Sequence, residues 1–232
     1  MAHPDPDLLA TLARQLAAED DVDAVLRRTV QTSLTQIEGA ERAGITMTTR
    51  GSVSTPVASD ELVCVLDKHQ YSTGEGPCLS AAFEHEPVIR VDDLSTDRRW
   101  VEFSTAVAHL GVRSMLSFQL YTTDAGAHAT TLGALNIYAE APYAFTDDAV
   151  HIGTLLAAHA AVAATAAAEQ ANLRIALQSR DVIGQAKGVL MERFKLTPEQ
   201  AFDLLIAASQ HTNQKLREVA EHLTTTGQLP TE

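Results

Sequence analysis

The stretch from Thr146 to Phe194 contains no proline, and this most constrains what the chain can fold into. Thr146 is a helix-capping residue, and Asp147 and Asp148 follow it at the positive end of the helix dipole. Residues 147 to 180 alone make a connecting helix about 50 Å long at about 1.5 Å per residue. Within it Ile152, Leu156, His159, Ala163, Ala166, Gln170, Leu173 and Leu177 recur at alternating spacings of four and three, the spacing of a coiled-coil seam. His159 and Gln170 interrupt that seam, while its alanines permit close helix approach. A parallel homodimer through this helix is the expectation; the alternative is a helix that packs on its own sheet and then runs free.

Past the connecting helix the pattern stays helical. Ile183, Ala186, Leu190 and Phe194 recur at three and four residues and form one apolar stripe. Thr197, Pro198 and Gln200 supply a cap, a proline at the first helical position and a capping-box glutamine. They open a second helix through Phe202 and Leu205, with Phe202 expected inside. A third helix carries Leu216, Val219, Ala220 and Leu223 inward, with Gly227 and Pro230 beyond its end. Arg180, Lys187, Arg193, Lys195, Lys215 and Arg217 sit off these stripes, so the module is a three-helix bundle with its charges outside. Glycine in a helix interior costs about 1 kcal/mol relative to alanine, and Gly188, only four residues after Gly184, therefore asks for a reason.

Before the connecting helix the period changes. Leu8, Leu9, Leu12 and Leu16 predict a leading helix within residues 1–19, and Val22, Val25, Leu26, Val30, Leu34 and Ile37 a second. Residues 43–48, 88–91, 114–121 and 132–138 read as strands, interrupted by helices at about 59–70 and 98–110. A glycine-containing turn near Asp124, Ala125 and Gly126 separates the last two strands. Strands broken by helices give an α+β class, an α/β sandwich built on an antiparallel sheet.

The net charge of −13 argues at first against a nucleic-acid partner. Its distribution changes that inference. From Leu173 onward there are seven basic and seven acidic residues, which leaves ten basic and 23 acidic residues in 1–172. The imbalance lies wholly in the first part, and the C-terminal module is neutral. Two cysteines, Cys64 and Cys78, are too few for a disulfide framework. The start lacks the pattern of a secretory signal, and the alanine-rich run 157–168 is too short to span a bilayer, so a cytoplasmic protein is expected. The nine histidines show no metal-ligand spacing. No phosphate-binding loop or nucleophile elbow is present, so no catalytic residue, metal or required cofactor is assigned.

The segments Ser179-Arg180, Ile183, Gln185-Ala186-Lys187-Gly188 and Leu190-Met191, then Ala201-Phe202 and Leu205, then Ser209 to Lys215, stand in the order and spacing of an ANTAR domain, which residues 173–225 resemble. The resemblance implies binding to paired hairpins in leader RNA and suppression of transcription termination. Lys187 would neutralise a phosphate and Gly188 would let a backbone approach. Arg180, Ser209, Asn213 and Lys215 are carried over as further RNA contacts. Ile206-Ala207-Ala208 departs from the pattern, since many members carry one or two basic residues there.

Residues 20–164 resemble a GAF sensor domain of the kind that precedes ANTAR in actinobacterial regulators. The resemblance rests on Gln70-Tyr71, Gly74-Glu75-Gly76-Pro77-Cys78, Asp92-Asp93-Leu94, Arg99-Trp100, Gly111 to Ser114 and Gly133 to Tyr138. It implies a small-molecule ligand, with Cys78, Tyr71, Asp92 and Trp100 as sensing residues. At a helix start the Cys78 thiol would have a lowered pKa and become reactive; the competing reading is a small buried hydrophobe. Asp92-Asp93 could hold a cation or cap the following segment. Residues 226–232 are read as a tail. The expected protein is a non-enzymatic RNA-binding regulator; the rivals are a thiol-dependent reductase on a GAF-like fold using Cys64 and Cys78, and a protein-binding scaffold.

Overall fold

The computed structural model describes residues 6–49, 52–84, 86–123 and 129–230. The chain divides into two compact units, Met1–Ala168 and Glu169–Glu232.

In the first unit the elements run α1 (Pro6–Ala17), α2 (Val22–Gln36), β1 (Arg42–Thr49), β2 (Ser52–Ala58), α3 (Glu61–Thr73), α4 (Pro77–Phe83), β3 (Val88–Val91), α5 (Val101–Val107), β4 (Ser114–Thr123), β5 (Ala129–Ala139) and the start of α6 (Asp147–Phe194). The sheet is antiparallel throughout, in the order β2-β1-β5-β4-β3. Side chains alternate across it because successive strand residues face opposite ways. Leu116, Phe118, Leu120, Leu135 and Ile137 face α2 and α6 in one core. Met115, Ala134 and Tyr138 face the other way, into a second core with Val63, Leu66, Trp100 and Phe103. The result is an α+β three-layer sandwich.

The four anticipated strands are present, and β2 is a fifth. Its sequence, Ser-Val-Ser-Thr-Pro-Val-Ala, gives only a weak apolar alternation. It lies at the sheet edge, where Pro56 can sit without removing a ladder hydrogen bond from the sheet interior. Asp21 and Asp60 cap α2 and α3 by accepting from Ala24 and Val63. Leu12 and Leu16 are buried, whereas the side chains of Leu8 and Leu9, and the turn Asp124-Ala125-Gly126, lie outside the described residues.

Helix α6 runs unbroken from Asp147 to Phe194. Its first half packs on the chain's own sheet. Ala149, Leu156, Ala157, Ala160, Ala161, Ala164 and Ala167 are buried in the first unit's core, and Ile152 and Ala163 pack against that core. The helix lies so close to the sheet that a Cβ on Gly153 would come 2.2 Å from the Phe118 ring. The first half of the proposed stripe is thus spent on its own sheet. Ala166 is exposed, and only from Leu173 (61% exposed) to Leu177 (54%) do large apolar residues of the stripe face solvent. The most apolar 18 residues of α6 reach a mean hydropathy of 1.5, enough by composition to cross a bilayer. The buried alanine face accounts for that value, because a helix that closes a soluble core must be apolar there.

In the second unit the last turns of α6 pack with α7 (Pro198–Thr212) and α8 (Leu216–Thr226) around Ala186, Leu190, Ala201, Leu205, Val219, Ala220 and Leu223. The capping box forms as expected: Thr197 N–H donates to Gln200 at 2.9 Å and the Thr197 hydroxyl accepts from Gln200 N–H at 3.3 Å. Two aromatic placements differ from expectation. Phe194 is 53% exposed, and Phe202 is only half-buried. The neighbouring Ala201 takes the inward position of α7 and brings the helix close, which leaves the larger ring at the margin.

Candidate functional site

Two surfaces carry chemistry, one in each unit. In the first unit a cavity of about 460 Å³ is lined by Tyr71 and Gly74-Glu75 of α3 and its cap, by Leu79, Ser80, Phe83 and Glu84 of α4, by Arg99-Trp100 before α5, and by Val53 of β2. Trp100 Nε1 donates to Ser80 Oγ at 3.1 Å, which fixes the indole against α4. The Arg99 guanidinium lies 4.4 Å from the Trp100 ring and is held by Asp97 and by the carbonyl of Arg90. Glu75 accepts from the Phe103 N–H at 2.9 Å and so ties the cavity rim to α5.

Behind Tyr71 lies a buried polar network centred on Asp67. One carboxylate oxygen accepts from Tyr138 at 2.8 Å and Gln70 at 3.2 Å; the other accepts from Thr55 at 2.7 Å and Thr46 at 3.4 Å. Tyr71 joins through its hydroxyl, 3.1 Å from Thr46 and 2.8 Å from Thr55. Asn136 donates to Thr46 at 3.0 Å. Thr46, Thr55, Gln70 and Tyr138 all donate to Asp67, which suits an acceptor-only carboxylate. Burial pushes its pKa up all the same, against the four hydrogen bonds. Burial, then the Asp67 charge, also raises Tyr71 well above the ordinary phenol range.

Cys78 belongs to this network's edge. Its N–H donates to Gln70 Oε1 at 2.9 Å, and its thiol is fully buried, so desolvation followed by Asp67 raises its pKa. The expected lowering at a helix start is therefore reversed, because loss of water outweighs a seven-residue helix's dipole. Both cysteines are free thiols, Cys64 partly buried. Asp92 lies outside the cavity and pairs with Arg90 at 2.6 Å. Asp93 is gripped by Arg113 at 2.6 Å, which holds it well below the usual carboxylate range, and it accepts from the N–H and hydroxyl of Ser95. Both carboxylates are engaged by an arginine, and no cluster of three or more potential metal ligands occurs among the described residues.

In the second unit, Arg180, Ile183, Gly184 and Lys187 of α6 and Phe202 of α7 line a shallow depression of about 530 Å³. Lys187 Nζ stands 5.6 Å from the Phe202 ring centroid. Gly188 lines a second depression with Gln185, Val189, Glu192 and Arg193. Lys195 pairs with Glu192, Arg217 with Glu221, and Arg193 donates to the carbonyl of Gly227. Arg180, Lys187 and Lys215 have no ion pair or hydrogen bond from a charged head group among the described residues. A Cβ added at Gly184 or Gly188 would meet nothing within 4 Å.

Two family models match the chain: a GAF domain over residues 19–164 and an ANTAR domain over 171–223. The chain belongs to the GAF–ANTAR regulators. The solved structures share the fold of the GAF unit. GAF3 of Slr1393 from Synechocystis sp. PCC6803 matches at 14% identity and a TM-score of 0.53, over 66% of this chain and 99% of that one. The GAF domain of an Acinetobacter phosphoenolpyruvate-protein phosphotransferase matches at 12% and 0.50, over 74% and 99%. A bacteriophytochrome from R. palustris matches at 11% and 0.60, over 90% of this chain and 48% of that one. No curated protein matches.

Of the sensing residues named from sequence, the GAF unit brings Tyr71 and Trp100 into one cavity and leaves Cys78 behind its wall and Asp92 on the surface. In the ANTAR unit Arg180 and Lys187 share a depression, and Gly188 lines another. Ser209, Asn213 and Lys215 shape the turn from α7 to α8. The Ser209 hydroxyl donates to the Gln214 carbonyl at 2.6 Å, Asn213 takes the left-handed cap of α7 with φ 51°, and Lys215 N–H donates to Glu218 at 3.2 Å. Asp67 stands in none of the motifs named from sequence. Its signal was an acidic residue on the inward face that Val63, Leu66 and Gln70 share.

Proposed function

We propose that this protein is an RNA-binding antitermination regulator, in which the GAF unit senses a small molecule and the ANTAR unit binds hairpins in nascent leader RNA. The observation that carries the reading is the solvent face of α6. Two interior glycines and two cations outside any ion pair among the described residues, Arg180 and Lys187, lie there together. The glycines lower helix stability by about 1 kcal/mol each, and no neighbour among the described residues requires them. A surface that keeps open backbone beside unpaired positive charge suits a phosphate chain laid against it.

A homodimer would present two such faces to two hairpins, and holding both would exclude an overlapping terminator stem. Joining two weak contacts in one dimer raises affinity without new contacts. Leu173, Ile175 and Leu177, each more than half exposed, support pairing through this part of α6. The GAF cavity, with Tyr71 and Trp100 in its wall, is the place for the signal, and a cytoplasmic location follows from a nascent-RNA target. The reading includes no catalytic step; the burial of Cys78 speaks against a thiol reductase. Sequencing of RNA crosslinked to the protein in its native cell tests the proposal. Enrichment of leader segments with two adjacent hairpins supports it, and a profile no different from an Arg180→Ala/Lys187→Ala variant opposes it.

A further inference from the structure

Sequence spacing placed Phe202 in the ANTAR core, but the structure leaves its ring half-buried at the wall of the α6–α7 depression. The floor is apolar, from Ala176 and Ile183, and Gly184 leaves it open. At the rim stand two cations that form no ion pair among the described residues, and one of them, Lys187, lies over the ring at 5.6 Å with Glu199 within electrostatic reach. An apolar slot with an aromatic wall and unpaired positive charge at its mouth matches a ligand that is flat and uncharged at its centre and anionic at its edges. A nucleotide of single-stranded RNA has that form, since its base stacks on aromatic or guanidinium planes while its phosphates seek cations.

We propose that this depression receives one unpaired base of an RNA hairpin loop, stacked on Phe202, with Arg180 and Lys187 holding the flanking phosphates. The proposal rests on the RNA-binding reading above and adds to it the residue that recognises the base. A base entering over the ring takes the place of the Lys187 ammonium, which moves out to the phosphate it neutralises. Gly184 matters because any side chain there would stand in the slot, and apart from its own helix backbone a Cβ there would meet no atom of the described residues within 4 Å. Stacking tolerates all four bases, so the pocket demands that a base be unpaired more than it demands which base.

The test uses the full-length chain and a pool of RNA hairpins that share one stem and carry randomised loops. Hairpins enriched by the parent are remade with each loop nucleotide in turn replaced by an abasic one. One position should lose roughly 5- to 100-fold in affinity, the range of a single base–aromatic stack. Phe202→Leu keeps the apolar volume and removes the aromatic face. In that variant the same abasic replacement should cost nothing further, while the other positions behave as in the parent. Gly184→Leu fills the slot without touching the bundle core and should weaken the intact hairpin by a similar factor, with unchanged helicity by circular dichroism. Parental affinity in both variants overturns the proposal and leaves the depression to an apolar anchor of a protein partner. Failure of the parent to enrich any hairpin removes the RNA reading itself, and this proposal with it.

Discussion

Replacing Gly184 and Gly188 by alanine should stabilise the ANTAR unit while weakening its hold on RNA. Alanine exceeds glycine in helix propensity by about 1 kcal/mol per site. Nothing subtracts from that gain here, because at both positions a new Cβ meets no atom within 4 Å and the backbone is helical. Propensity sums residue by residue along one helix, so the double variant should gain about 2 kcal/mol. Amide hydrogen exchange reads this locally: 1 kcal/mol slows exchange through unfolding about fivefold, so the amides around Ala186 and Leu190 should slow by that factor in each single variant. Gly153, in the same helix, is the internal control. Its Cβ would stand 2.2 Å from the Phe118 ring, so Gly153→Ala should destabilise the GAF unit despite alanine's propensity, by roughly the 1–3 kcal/mol typical of overpacking. Equal stabilisation at all three sites, or none at Gly184 and Gly188, would refute the inference that the ANTAR glycines are kept for something outside the chain.

Tyr138→Phe removes a donor to buried Asp67 and should cost about 1.5–3 kcal/mol by urea unfolding at neutral pH. Because the folded pKa of Asp67 is raised, its contribution to stability is most favourable below its unfolded value near 3.8 and declines as pH rises through the folded pKa. The variant's deficit should shrink as acid protonates Asp67, since the bond from Tyr138 then loses its charge, and a deficit independent of pH contradicts a charge-assisted bond. Peroxide should leave hairpin affinity of the parent and of Cys78→Ser alike, since the thiol is buried and its pKa raised; an oxidant response lost in the variant restores the redox reading. Leu173→Glu with Leu177→Glu should yield monomers by light scattering that bind one hairpin normally but lose the advantage on paired hairpins. Parent and variant of equal mass would remove the dimer from the mechanism.

Much of the architecture was legible because it rests on local rules. The capping box at Thr197 and Gln200, the stripe Ala186–Leu190 and the period-two strands each follow from residues a few positions apart. What was misread depends on partners distant in sequence. The alanines of α6 look the same whether they face a second chain or their own sheet, and only contact with Phe118 and its neighbours assigns Ala157, Ala160, Ala161 and Ala164 to the sheet. Pro77 before Cys78 predicts a helix start, yet the thiol's acidity is set by its burial beside Asp67, 11 residues earlier in the chain. Phe202 has the spacing of a core residue, but Ala201 beside it takes the core and leaves the ring at the surface. Arg180 and Lys187 could be named from sequence as cations off the apolar stripe. That neither forms an ion pair among the described residues, while Arg193, Lys195 and Arg217 are engaged within the unit, required coordinates.

The most direct test of the central claim is the salt dependence of RNA affinity for the parent and for Arg180→Ala/Lys187→Ala, measured on a hairpin recovered by crosslinking. If these two side chains neutralise phosphates, the slope of log affinity against log salt should fall in the double variant by roughly 1.4 to 1.8, or about 0.7–0.9 per cation. The melting curve should be unchanged, because both side chains stand outside the ANTAR core. Coincident salt titrations for parent and variant would contradict the assignment of this face of α6 to RNA.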